Sequence, residues 1–233
     1  AERFRTPLHG LNGALGVYAT HAVVQRSTFQ AYLATRNLAV DFPGVRGFGF
    51  IERVPREALA SFVAAERDDG APQFTVRQLA PSDAAELFVI KFIEPAERNP
   101  GALGLDVGSE AVRREAVLQA QLTGEPTLTG SVTLVQDQRQ GPGVLLVVPV
   151  FRPQPGAAPV DGQHGALLGL LYAPIVVGEL LEELGDVTAG QVRVELFDTA
   201  SGTARGPLMF DSRPEAVEPA GDAAEVTRVD PGP

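Results

Sequence analysis

Along the first forty residues, Leu8, Leu11, Leu15, Tyr18, Ala22, Gln25, Phe29 and Tyr32 recur at alternating steps of three and four, which places them on one stripe of a helix. The spacing predicts a single helix from about Thr6 to Ala39, roughly 50 Å long at about 1.5 Å per residue. Gly10, Gly13 and Gly16 weaken its first half by about 1 kcal/mol each, so tertiary or partner contacts must hold it. Two arrangements satisfy the stripe: a helix lying along its own domain, or a stalk that pairs with a second copy in a parallel dimer.

After the stripe the pattern turns to mixed α and β. The stretch "FPGVRGFGFIERVP", residues 42–55, reads as a turn at Pro43 and Gly44 launching a strand that Pro55 ends. Helical spacing of Leu59, Phe62, Val63 and Glu66 follows, closed by Gly70. "QFTVRQL" and "LFVIKFIEP" read as strands, and a second amphipathic helix covers about Ser109 to Leu122, capped by Ser109 and ended by Gly124. "TLTGSVTLVQ" and "GVLLVVPVF" read as a hairpin of two long strands. Residues 152–165, rich in Pro and Gly, mark an exposed loop; "ALLGLLYAP" resumes as a strand, and a helix runs from about Ile175 to Leu184. "QVRVELFDTASGTARGPLMFDS" gives a pair of strands around a Ser-Gly turn, and the tail from Arg213 is acidic.

Composition then excludes several chemistries. The chain has 233 residues, 44% of them hydrophobic, enough to bury a core in one large or two small domains. A formal charge of −10 repels a phosphate backbone, so no nucleic-acid partner is expected. With no cysteine, disulfides and thiolate chemistry are excluded. Gly44, Gly47 and Gly49 do not form a dinucleotide loop, because such a loop follows a strand and opens a helix, and here the order is reversed. Of the three histidines, His9 and His21 fall in the helical stripe and His164 in the Pro/Gly loop, which suggests neither metal site nor triad. No catalytic residue, metal or cofactor is therefore expected. No run of eighteen or more apolar residues is present, so an extracytoplasmic role would make this chain a piece of a longer protein.

Asp106, in "LGLDVGSE", is a carboxylate inside a mostly apolar run just before a helix, where burying an unpaired charge is costly. Read from the residues alone, it is a helix N-terminal acid satisfied by the N–H groups of residues 107–110.

The order of these elements resembles the CHASE domain, the extracytoplasmic sensor module of receptor histidine kinases and diguanylate cyclases, best known from the plant cytokinin receptors. The likeness is carried by "FPGVRGFGFIERVP", "LFVIKFIEP", "GALGLDVGSEAVRREAVLQAQLTGEPTLTG", "LLVVPVFRP" and "GALLGLLYAPIVVGELLEEL", in that order, over most of residues 1–210. The resemblance implies an α+β fold: a long N-terminal helix followed by two PAS-like domains with antiparallel sheets. Residues 1–42 would be the stalk helix, 43–173 the membrane-distal ligand-binding domain, and 174–233 the membrane-proximal domain, truncated at its end. It implies a homodimer through the N-terminal helix, a place on the periplasmic side of a bacterial inner membrane, and membrane attachment through flanking segments.

By the same resemblance Asp106 matches an aspartate that binds the ring nitrogens of adenine, and Leu128 a position whose backbone shares that contact. Phe88, Phe92, Leu103, Leu146, Val148 and Ala166 match pocket-lining positions, although core strands would carry the same residues. Ala166 stands where the plant proteins have an aromatic, and Leu168 and Leu170 where they have smaller residues. The expected ligand is therefore a cytokinin-like, adenine-like or other small compound bearing an N–H donor or amine. The alternative is an interaction module that dimerises and recognises a protein without a small ligand.

Overall fold

The computed structural model describes residues 2–21, 23–99, 101–135, 141–152, 165–187, 193–199 and 206–212. The Pro/Gly-rich loop with His164, the Ser-Gly turn at 201–202 and the acidic tail lie outside the described residues.

The predicted single N-terminal helix is replaced by three: α1 (Glu2–Thr20), α2 (Arg26–Leu33) and α3 (Leu38–Asp41). At the end of α1 the Thr20 hydroxyl donates to the Gly16 carbonyl at 2.9 Å, and the His21 ring lies 3.0 Å from the Val17 carbonyl. Side chains thus share the carbonyls of the last turn with its backbone, the Val17 carbonyl also accepting from the His21 N–H at 3.2 Å. Gln25 is extended, with φ −84° and ψ 157°, and α2 folds back so that Tyr32 and Arg36 lie against Gly13. Both helices spend their apolar stripe on the chain's own core: Leu11, Ala14, Tyr18, Phe29 and Leu33 are buried in one cluster with Phe48, Phe50, Phe92, Leu146 and Val148. A dimer built on that stripe would have to lift the helices off the sheet. Close approach explains Gly10, where a Cβ would lie 2.6 Å from the Phe48 ring and 2.8 Å from Phe42.

The sheet under these helices contains β1 (Phe48–Pro55), β2 (Arg77–Gln78), β3 (Glu86–Glu94), β4 (Leu105–Asp106), β5 (Thr127–Leu128), β6 (Val132–Thr133), β7 (Pro142–Phe151) and β8 (Leu167–Val176). Its order is β2-β4-β3-β1-β8-β7-β5, with β6 also on β7, and every pair is antiparallel except β2 with β4. The four long strands are rich in apolar residues because both faces are covered, with Glu52, Arg53 and Lys91 the charged residues inside them. On one face lie α1, α2 and the first turn of α6 (Val177–Val187), with α4 (Leu59–Asp68) at the β1–β3 end; on the other lies α5 (Ala111–Thr123) against Ile51, Phe88, Ile90, Val147 and Leu170.

Two predicted strands shrink. "QFTVRQL" contributes only Arg77 and Gln78, and "TLTGSVTLVQ" divides into β5 and β6 at Gly130 and Ser131. The Ser131 N–H leaves the ladder to donate to Asp198 Oδ2 at 2.6 Å, just beyond β9 (Glu195–Phe197). β9 pairs antiparallel with β10 (Leu208–Asp211), and Leu196, Met209 and Phe210 pack on the same cluster as α1. Gly44, at φ +78°, turns the chain where its Cα faces the backbone of Leu180 in α6, and Arg46 grips Glu179 with two bonds of 2.6 and 2.8 Å.

The cap of α5 is Glu110 rather than the expected Ser109. Its carboxylate accepts from the N–H groups of Val112 and Arg113 at 2.9 and 3.1 Å and from the Arg113 guanidinium at 3.0 Å. Ser109 instead donates to the Asp106 carbonyl and accepts from the Leu79 N–H. Burial works to raise the Glu110 pKa, but the two N–H groups and Arg113 hold it below the ordinary value of 4.5. A depressed folded pKa means that its stabilisation is present above that value and fades as the pH falls through the lower folded one. Glu110→Ala is expected to cost about 1 kcal/mol near neutral pH, measured by urea denaturation, with the deficit shrinking in acid; an unchanged midpoint at neutral pH would exclude the cap.

Candidate functional site

The register between β1 and β3 slips once. Phe50 faces Phe92 and Ile51 faces Ile90, so Lys91 is an extra residue, a β-bulge. Strict alternation would put Ile90 and Phe92 on one face, whereas Ile90 packs on the α5 side and Phe92 on the α1 side. The bulge therefore brings Lys91 and Phe92 to the same face, with the Lys91 ammonium 5.2 Å from the Phe92 ring centre.

Lys91 is 12% exposed and donates to Glu52 of β1 at 2.8 Å and to Glu66 of α4 at 3.0 Å. Glu66, 2% exposed, also accepts from Arg26 at the start of α2 at 2.9 Å. The Arg26 guanidinium also lies 5.1 Å from the Phe92 ring centre, and the Arg26 backbone N–H donates to Asp69 Oδ2 at 2.8 Å. A chain of alternating charge, Arg26, Glu66, Lys91, Glu52, thus joins two helices and two strands. Burial works against the charge of Lys91, and the carboxylates of Glu52 and Glu66 more than restore it, holding its pKa above the ordinary lysine value.

Beside this chain the end of α1 leaves a cleft of about 200 Å³, lined among others by Tyr18, Phe50, Glu52, Lys91, Phe92 and Arg152. Tyr18 stacks on Phe50 at 4.4 Å between ring centres. Its hydroxyl is buried and has no hydrogen-bond partner among the described residues. Burial, then the charges of Glu52 and Glu66, push the hydroxyl pKa above the ordinary tyrosine value, so it stays a donor. Such an orphaned group is costly unless something polar meets it.

The residues matched to a ligand pocket are not gathered at one place. Phe92, Leu146 and Val148 are buried on the α1 face, with Leu128 half-buried against them. Phe88 is fully buried on the α5 face, Leu103 packs on the α4 cluster, and Ala166 is exposed at the start of β8, its carbonyl accepting from the Arg152 N–H. Of this set only Phe92 lines the cleft, joined there by Leu168. Asp106 is 2% exposed. Its Oδ1 accepts from the N–H groups of Phe88 and Gly108, each at 3.0 Å, and its Oδ2 from Gln78 Nε2 at 3.2 Å. Tyr18, Glu52, Lys91 and Arg152 carried no sequence signal as a group; the only hint was a lysine inside the apolar run "LFVIKFIEP".

The elements of residues 42–184, from the turn at Gly44 to α6, match in order the segments on which the family likeness rests, and a family model of the CHASE domain matches residues 22–210. The chain belongs to the CHASE domain family. A search of curated proteins finds no match. CHASE domains are extracellular sensor modules of signalling receptors, sensory rather than catalytic. Among its described residues no helix is long and apolar enough to cross a membrane.

Two outcomes follow for the CHASE domain. Lys91→Met strips Glu66 and Glu52 of a shared partner and is expected to cost about 3–5 kcal/mol by chemical denaturation, since it uncompensates buried charge; a loss below about 1 kcal/mol would mean that Arg26 alone sustains Glu66. Asp106→Ala strands the N–H groups of Phe88 and Gly108 and is expected to cost about 1–3 kcal/mol per stranded donor, whereas Asp106→Asn keeps an acceptor at Oδ1. An Asp106→Ala protein that melts like the parent would remove the structural role and favour ligand contact.

Proposed function

We propose that this CHASE domain is the ligand-sensing part of a transmembrane receptor on the periplasmic side of a bacterial inner membrane, with a histidine kinase or a diguanylate cyclase or phosphodiesterase as output. It takes a small molecule in the membrane-distal unit, residues 43–173, and passes the change to the helices at its N-terminus. The two PAS-like units of the family plan are supported by the helix-covered antiparallel sheet for the first and by α6 with the β9–β10 hairpin for the second.

The observation that carries the proposal is the stacking of Tyr18 on Phe50 at the wall of the cleft. An occupant there touches α1 and the central strand β1 together, so it bears directly on how the helix sits on the sheet. A ligand moves such an equilibrium only by its differential affinity for the two arrangements. A tenfold preference supplies about 1.4 kcal/mol, enough to tune an output domain. Asp106 is 2% exposed and already accepts three hydrogen bonds, so a ligand there has to open a covered site; the cleft requires no such opening.

A panel of amino acids, organic acids, amines and purines, adenine-type cytokinins included, tests the proposal by thermal shift. A compound that binds only the folded state raises the melting temperature as its concentration rises, and the same compound is expected to change the output of the membrane-anchored receptor. A panel without such a compound, together with a receptor output that follows a co-expressed envelope protein, would replace the sensor by an interaction module.

A further inference from the structure

The cleft beneath the end of α1 is selective in what it offers. Phe50, Phe92 and Leu168 make an apolar floor, and the volume of about 200 Å³ is below the about 300–1,000 Å³ of pockets for drug-sized ligands. The occupant is then of the scale of an amino acid or a small aromatic acid.

The polar atoms around that floor differ in what they have left to give. Glu52 Oε2 is committed to Lys91. Lys91 spends two of its three N–H donors, on Glu52 and Glu66, and keeps one. Tyr18, 7% exposed, holds an O–H donor that meets nothing among the described residues. Arg152 stands exposed at the rim; its backbone N–H donates to the Ala166 carbonyl, while no described residue accepts from its guanidinium. His21, at the same rim, turns Nδ1 to the Val17 carbonyl of its own helix. The donors left over, one N–H of Lys91, the Tyr18 hydroxyl and the Arg152 guanidinium, outnumber the acceptors left over, Glu52 Oε1 foremost, and the charged lining, Lys91 and Arg152 against Glu52, is positive by one. A carboxylate brings the acceptors and the charge that such a wall lacks.

We infer that this cleft is the ligand site of the sensor and that its ligand is a small carboxylate with an apolar or aromatic body, the body over Phe50, Phe92 and Leu168 and the carboxylate facing the Tyr18 hydroxyl and the Arg152 guanidinium. The inference rests on the sensor function proposed above and narrows its ligand class, away from the amines and N–H donors that the family likeness implies.

Three probes of one shape separate the charge preferences: phenylacetate, 2-phenylacetamide and phenethylamine. Binding to the purified protein is measured by calorimetry and by thermal shift. Phenylacetate is expected to bind more tightly than the amide, and the amine to bind least. Tyr18→Phe removes only an unsatisfied hydroxyl, so the variant is expected to melt no earlier than the parent, yet to bind phenylacetate about tenfold or more weakly, the loss of one hydrogen bond to a charged group. Arg152→Gln, at an exposed position, is expected to weaken phenylacetate and leave the amide nearly unchanged. Saturable binding led by the amine, phenylacetate binding that ignores both substitutions, or no binding by phenylacetate up to its solubility overturns the inference. If the metabolite panel still holds a compound whose binding ignores both substitutions, the cleft assignment falls and the sensor function stands.

Discussion

Glu66 sits on α4 with 2% of its side chain exposed; burial raises its carboxyl pKa above the ordinary value, and Lys91 and Arg26, reaching it from two other elements, work against that rise. Desolvating three charges is expensive, and their attraction offsets the cost only when the geometry and the hydrogen bonds are good. Here the contacts are 2.9 and 3.0 Å, and Lys91 passes a further 2.8 Å bond to Glu52. The requirement fixes three placements together. α2 must begin where Arg26 meets α4, β3 must bulge to turn Lys91 toward the helices, and β1 must present Glu52 beside it. Apolar packing alone would tolerate other ways of laying a helical hairpin on this sheet; charge matching at Glu66 selects one.

That selection explains why the N-terminal helices form a hairpin rather than a stalk. Once Arg26 is tied to Glu66 and Asp69, α2 has to start beside α4, and the residues between Thr20 and Arg26 must reverse the chain. The stripe of apolar residues survives the reversal because both helices come down on the same cluster of Phe48, Phe50, Phe92, Leu146 and Val148. A step of three and four that continues through a break is indistinguishable in sequence from one long helix, since periodicity records which face is buried and not against what.

The same distinction separates what the sequence disclosed from what it did not. β7 and β8 were legible as continuous apolar runs, and β1 and β3 as apolar runs interrupted only by Glu52, Arg53 and Lys91, the signature of strands covered on both faces. α4 and α5 were legible within a few residues from their spacing and their closing glycines, Gly70 and Gly124, whereas α6 begins two residues later than its spacing suggested and runs on through Gly185 to Val187. Ser109 outranks Glu110 as a cap by intrinsic preference, and lost the position because Asp106 and Leu79 engage it. The cleft was not legible at all. Tyr18, Phe50, Lys91 and Arg152 come from four parts of the chain, and Lys91 enters only through a one-residue slip in register that no local pattern announces. The positions suggested by family likeness are individually buried or half-buried, Ala166 excepted, yet they are divided between the faces of the sheet, Phe88 and Phe92 being parted by the bulge at Lys91.

The arrangement also joins the two ends of the described chain. Leu196, Met209 and Phe210, from the β9–β10 hairpin, pack on the cluster that receives Leu11, Ala14 and Tyr18 from α1. Arg46, a few residues before β1, holds Glu179 of α6, and Ser131, between β5 and β6, holds Asp198 beside β9. An interior packed to crystal-like density does not absorb a shift in one wall by compressing; it passes the shift on or changes to another arrangement. A displacement of Tyr18 at the cleft therefore acts on a core that α1, α6 and β10 share. In the proposed receptor, with membrane connections leaving from the two ends of its sensor, that shared core would be a physical route by which an occupied cleft changes the relation between them.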